Sequence, residues 1–456
     1  MSTNFKLFGL IACCAFSVLT ISCDDDKTKN EPTPVVVTPD ADKAMTSTEQ
    51  KEKLEDVANE FMNQMPSSDF EEISLLGNFM RNNYGEDYDW ESVGDWARDL
   101  WDDTKQATGT TTKESRWGYT VIYTNYNSLL MASNFTGHFT AHNGKWTRTN
   151  ADDLQFIFND QNGTRCVLKL VTSGAITKVH AGNLDEYQDY SGSTDCYDRI
   201  NCTIGVPENI VVTLTQGSKD VVKTTVKINL QNLNGNEFDI SKNNLSLTAN
   251  VELNNGYKFN ISQVSYKANN EFATSYEMTK NGKKMVTLSA SSSLNGIPEC
   301  NVSAFANNFD IDDYNTDNAN ALNPFIKLDI LGKVQIQGKI KNVRTFAENL
   351  QDADDNNNNE SKYKQYINNA NSLMDINVFY DGSSTKQADI RLEPFVDYGW
   401  NGREYWAVEP VIVFFDGSSY STFEAFFNNS NFKKTIENFK HLANRYASLV
   451  DETIDW

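Results

Sequence analysis

No phosphate-binding loop, dinucleotide fingerprint, GxSxG elbow or HExxH pair occurs in the sequence, so the motifs with the most explicit catalytic mechanics are missing. Histidine is scarce, with four among 456 residues. Two of these, His138 and His142, look like a zinc pair, but FTGHFTAHNG reads as strand. Four residues of strand separate them by about 13 Å, too far to share one ion. Cations are the minority charge, 40 Lys and Arg against 62 Asp and Glu, for a net charge of −22. Phosphate neutralisation needs clustered Lys and Arg, so no nucleic-acid partner is expected, and an anionic lipid surface is disfavoured for the same reason. Beyond the first two dozen residues no apolar run is long enough to span a bilayer.

The N-terminus is the most legible part. Residues 7–21, LFGLIACCAFSVLTI, follow the single cation Lys6 and have the length and flanks of a signal-peptide core, too short for a comfortable membrane span. Ser22 stands just before Cys23. This arrangement resembles the lipobox of bacterial lipoproteins, which implies removal of residues 1–22, acylation of Cys23 and attachment to a membrane through lipid. Asp24, Asp25, Asp26 and Lys27 follow at once. They resemble the surface-export signal of Bacteroidota-type lipoproteins, which implies a place on the outer face of the outer membrane. Residues 28–42, TKNEPTPVVVTPDAD, carry three prolines and no helical period, so residues 23–42 read as a lipidated, extended tether.

The folded part is expected to be α+β. Residues 43–113 read as a helical block, beginning with a capping box from Ser47 to Gln50 and an apolar stripe through Leu54, Val57, Phe61 and Met65. A later helix carries Trp90, Val93, Ala97, Leu100 and Trp101 as one stripe. Residues 114–300 change to period two, as in Leu245, Leu247, Ala249, Val251 and Leu253, with Asn-Gly pairs at Asn143, Asn162, Asn234, Asn255 and Asn281. Such pairs tolerate the positive φ angles of tight hairpins, so this block reads as a large antiparallel meander, an open sheet or a barrel. Residues 301–456 mix helix and hairpin, with QDADDNNNNES expected as a loop. An amphipathic helix through Phe432, Ile436, Phe439 and Val450 is expected to dock on the sheet.

Seven cysteines include two in the leader and Cys23, leaving Cys166, Cys196, Cys202 and Cys300. Four allow three pairings, and the short DCYDRINC segment suggests a Cys196 to Cys202 bridge in an oxidising compartment. Ser383 and Lys386 satisfy SxxK, but the serine sits in an expected hairpin turn rather than at the head of a helix. FDIDDYNTDN offers Asp310, Asp312, Asp313 and Asp317 as hard oxygen ligands for calcium, without the EF-hand pattern, and LDEYQDYSGSTDCYD offers a second acidic stretch. DYGWNGREYWAVEP gathers Trp400, Tyr405 and Trp406 around a turn with Arg403 and Glu404. Aromatic planes beside polar groups suit a sugar, whose C–H face stacks while its hydroxyls find donors and acceptors.

Three functions fit: non-catalytic capture of an extracellular glycan, a structural lipoprotein that meets other envelope proteins, and a calcium-dependent glycan-active enzyme. The anchor is testable alone. Cys23→Ser is expected to abolish incorporation of a clickable palmitate analogue during growth; a variant that still takes up the label would refute the lipid site.

Overall fold

The computed structural model describes residues 44–73, 75 and 91–415, apart from gaps at 117–118, 144, 161, 192–193, 232, 234, 239–242, 268–270, 294–323 and 399–401, together with 440, 441 and 444. The helices are α1 (Ser47–Gln64), α2 (Glu91–Thr104), α3 (Val343–Asp355) and α4 (Glu360–Leu373), with a 3-10 turn at Ser67–Ile73. The strands up to residue 254 are β1 (Lys105–Arg116), β2 (Tyr119–Met131), β3 (Gly137–His142), β4 (Lys145–Thr149), β5 (Leu154–Asn159), β6 (Arg165–Ser191), β7 (Thr194–Gln216), β8 (Lys219–Gln231) and β9 (Asn244–Leu253). After them come β10 (Tyr257–Lys267), β11 (Glu271–Lys280), β12 (Lys283–Ser293), β13 (Phe325–Ile330), β14 (Val334–Ile340), β15 (Met374–Tyr380), β16 (Ala388–Tyr398) and β17 (Glu404–Phe414). The class is α+β with a predominance of strand, as expected. Two compact units interleave in sequence: one takes residues up to 74, 255–297 and 315 onward, the other 75–254 and 298–314.

In the second of these units the pairing is mixed rather than purely antiparallel. β2 runs parallel to β7, Thr120 opposite Thr194 through Met131 opposite Gly205, and β3 runs parallel to β5. The long hairpin β6–β7 is the spine, flanked by β5 on the first half of β6 and by β2 on the first half of β7. Cys196 and Cys202 are free thiols on the single strand β7, and six strand residues span about 20 Å, so the expected bridge between them is corrected by geometry. α2 belongs to this unit, and its Trp96 lies 5.0 Å from Phe139 and 6.0 Å from Phe135. Ala97, expected in the stripe, is exposed. The β region begins at Lys105, nine residues before the expected boundary.

The first unit is an antiparallel meander in which each strand from β10 to β17 pairs with the next. α1 opens with a capping box one residue earlier than expected, Thr46 accepting from Glu49 N while Glu49 accepts from Thr46 N at 2.7 Å. That frees Gln50 for the interior. Its side chain is fully buried and donates to Met45 O at 3.0 Å and Gln387 O at 2.9 Å, so α1 is fastened to the approach to β16. Below it Val57 packs with Val334, Val378, Tyr380, Ala388, Ile412 and Phe414. α3 and α4 are an excursion between β14 and β15, which pair directly from Ile340 opposite Met374. They sit over the same sheet face further along, where Ala353, Tyr363 and Ile367 meet Leu392, Trp406 and Val408. Between β14 and β15 the backbones approach so closely that a Cβ on Gly338 would lie 2.0 Å from Asp375 O. The tract expected as a loop is helix on both sides of a tight turn: Asn356 N–H donates to Ala353 O, and the Asn359 side chain accepts from Lys362 N.

The end of α1 and the 3-10 turn are tied to β10 and β11 by one polar knot. Tyr257, fully buried, donates to Gln64 O at 2.6 Å and lies 3.0 Å from Asp69 Oδ2. Lys280 Nζ serves the same two acceptors at 2.8 and 2.6 Å. Because the acceptors are shared, Tyr257→Phe is expected to cost only about 1 kcal/mol in urea unfolding. Combined with Lys280→Met, the loss should exceed the sum of the two single losses, since both acceptors are then left without these donors. A strictly additive cycle would show that the donors act independently.

Candidate functional site

The site expected around the Asn401-Gly402 turn is decided by the β16–β17 register. Val396 stands opposite Trp406 and Tyr398 opposite Glu404. Opposed residues share a face, so these four form one patch on the side that carries α3 and α4. Tyr398 is 63 % exposed and Val396 39 %, and the Tyr398 hydroxyl donates to Glu404 Oε1 at 3.3 Å. Trp406 is held from three sides. Its backbone N–H donates to Asn357 O at 2.7 Å, its ring lies 6.4 Å from Tyr363, and Lys364 Nζ stands 4.5 Å above the ring centre.

The bond to Asn357 also shows which way the β17 backbone points. Trp406 N–H faces away from β16, and the unbroken register places Pro410 in the same outward row. Proline therefore removes no donor from the ladder with β16.

Beyond Lys364 the outward face of α4 borders an open depression of about 820 Å³, lined by Asn358, Asn359, Glu360, Lys364, Gln365 and Asn368 among others. Lys364 pairs with Glu360 at 2.7 Å. The surface is rich in side-chain amides, each offering both donors and an acceptor.

Tyr405 does not belong to this patch. It occupies the opposite face, where its hydroxyl donates to Asp397 Oδ2 at 2.7 Å. That bond, with the Tyr398 N–H, holds the Asp397 carboxyl below its usual range and raises the Tyr405 hydroxyl. The expected platform of Tyr405 with Trp406 is thus divided by strand alternation. Arg403 and Glu404 are exposed after the turn, and Trp400 lies outside the described residues. Tyr398 was missed, although its spacing from Val396 and its mirror place to Glu404 across the turn are the signals that could have found it.

The calcium expectation at Asp310, Asp312, Asp313 and Asp317 falls outside the described residues. Among the described residues no group of three or more His, Cys, Asp or Glu is disposed to hold a metal. In the second acidic stretch Asp185 and Glu186 are committed to cations and a ring donor, while Asp198 accepts from Gln188 Nε2 at 2.9 Å. Asp185 takes a two-pronged bond from Arg199 at 2.9 and 3.0 Å, and Glu186 accepts from Trp101 Nε1 at 2.7 Å and from Lys105 at 2.5 Å. Arg199 also lies 3.5 Å over the Tyr123 ring and reaches Glu114 at 3.1 Å. Burial lowers the Lys105 ammonium, but hydrogen bonds to Asp102 and Glu186 outweigh it and leave the group above its ordinary value. His138 meets Asp153 at 2.6 Å rather than His142, and Ser383 lies in the turn after β15, as expected, while Lys386 pairs with Asp389 at 2.5 Å.

No family model, curated protein or solved structure matches the chain.

Asp198, beside this ion-paired group, has its carboxyl pushed up by burial, with Lys105 opposing and Glu186 and Asp102 reinforcing. A raised carboxyl in the folded state favours folding while protonated and loses that contribution as pH rises. Asp198→Asn is therefore expected to stabilise the protein at neutral pH, with the gain vanishing below about pH 4. Melting curves across that range would check it, and an unchanged or lowered neutral-pH melting temperature would count against it.

Proposed function

We propose that the chain is a lipid-anchored cell-surface protein that captures an extracellular glycan without catalysis. Cys23 carries the lipid and Asp24, Asp25, Asp26 and Lys27 form the export tail; these residues, and the expected helix through Phe432, Ile436, Phe439 and Val450, lie outside the described residues. The observation that carries the reading is an exposed Tyr398 diagonal to a clamped Trp406 on one sheet face, beside the amide-rich depression on α4. Aromatic planes take the C–H face of a sugar, and amides take its hydroxyls. Diagonal cross-strand neighbours such as these lie about 7–8 Å apart at Cα, close enough for both rings to meet one chain of sugars.

The test is affinity electrophoresis of the intact chain in mild detergent through gels containing polysaccharides. Tyr398→Ala is the informative variant, since its ring is exposed and its loss leaves the packing of Trp406 on Tyr363 in place. Retention about fivefold weaker in this variant, at unchanged melting temperature, is expected; equal retention would remove the platform from the reading.

A second reading, an interaction lipoprotein of the outer envelope, is favoured by a separate observation. Val171, Ile176, Leu184 and Tyr187 are each exposed by 41 to 56 % along β6.

A further inference from the structure

Charge around the platform narrows what it can hold. Among the described residues, Lys364 lines both the depression and the Trp406 ring and is paired with Glu360 at 2.7 Å, while Arg403 stands exposed beside Glu404. On the sheet side the patch contributes Glu404, whose carboxylate accepts from Tyr398. The remaining lining is amide and hydroxyl, including Asn358, Gln365 and Asn368, and the two last are exposed on the outer face of α4.

Resting on the glycan-capture reading, we infer that this platform takes neutral, hydroxyl-rich glycans and rejects polymers carrying uronate, sulfate or phosphate. A neutral sugar asks only for stacking and for hydroxyl partners, both of which the patch offers. An anionic polymer would bring its charge against Glu360 and Glu404 with Lys364 already engaged. It would also approach a chain whose net charge is −22, so the long-range field opposes it before contact. Within the site, Lys364 sets specificity: its ammonium stands over one face of the Trp406 ring, and its pairing with Glu360 keeps the cation from attracting a carboxylate ligand.

The experiment compares retention of the intact chain in gels containing dextran, mannan or xyloglucan with gels containing polygalacturonate or chondroitin sulfate, each at about 20 and about 300 mM sodium chloride. Retention by at least one neutral polymer, equal at both salts, with none by the acidic polymers, is the expected result. Retention by an acidic polymer that weakens at high salt overturns the inference while leaving glycan capture standing. Retention by no polymer removes the capture reading and this inference with it. Glu360→Gln supplies an independent arm, because it releases Lys364 without touching the core. It is expected to introduce salt-sensitive retention by polygalacturonate, and its failure to do so while neutral binding persists would show that the ion pair does not set specificity.

Discussion

The position of Val396 opposite Trp406 is the constraint on which the candidate site depends. A slip of one residue in the β16–β17 register would turn Trp406 outward with Asp397 and bring Tyr405 under α4. Packing makes that slip costly, because Ile412 and Phe414 on the same row belong to the buried cluster beneath α1. Trp406 and Val408 meet α3 and α4 on the same row, so two separate helical contacts hold one register. The bond from the Trp406 backbone N–H to Asn357 O adds a third restraint on the side of β17 away from β16.

That bond depends in turn on the helical excursion between β14 and β15. Closing so long an insertion across two strands that already pair costs little more than closing a short one, since loop entropy grows only with the logarithm of length. What the excursion supplies is a polar helix whose inner face, Tyr363, Ile367 and Ala370, is buried, and whose outer face remains free to present amides. The sequence showed the inner stripe clearly. It concealed the asparagine tract, because four consecutive asparagines read as a loop by composition while two of them serve as helix caps. Cap chemistry, Asn359 ahead of Glu360 and Lys362, was the available signal.

Legibility fails differently in the unit built on β6 and β7. Period-two alternation identifies a strand only while its register is continuous, and the β6–β7 ladder shifts between Ser173 and Ile176, between His180 and Gly182, and between Tyr187 and Asp189. Each shift lets two residues oppose one and resets which side chains face the core, so residues 165–191 never show one sustained pattern. The described residues of the acidic and cysteine-bearing stretch that resembled a stapled loop are therefore strand, and its Asp185 and Glu186 answer Arg199 and Lys105. Parallel pairing of β2 with β7 is invisible for another reason: it joins segments some seventy residues apart, and no local turn chemistry announces it. Where hairpins are tight, as at Asn281 with φ of 50° followed by Gly282 with φ of 78°, the sequence and the backbone agree, because the turn type demands those residues.

The proposed capture also follows from how unequally the two rings are prepared. The Trp406 ring is ordered before any ligand arrives, by Tyr363 and Lys364, so stacking on it forfeits little side-chain freedom. Tyr398 has its hydroxyl on Glu404 and most of its ring in water, and it must be fixed by the ligand. Two rings and a few amides on an open surface amount to a weak individual site. Weak sites are effective against a polymer when many copies share one surface, since each bound segment raises the local concentration of the next. A lipid anchor and an extended tether would provide that density and leave each copy room to find its segment, which links the N-terminal reading of the chain to its C-terminal platform by a physical requirement and not by location alone.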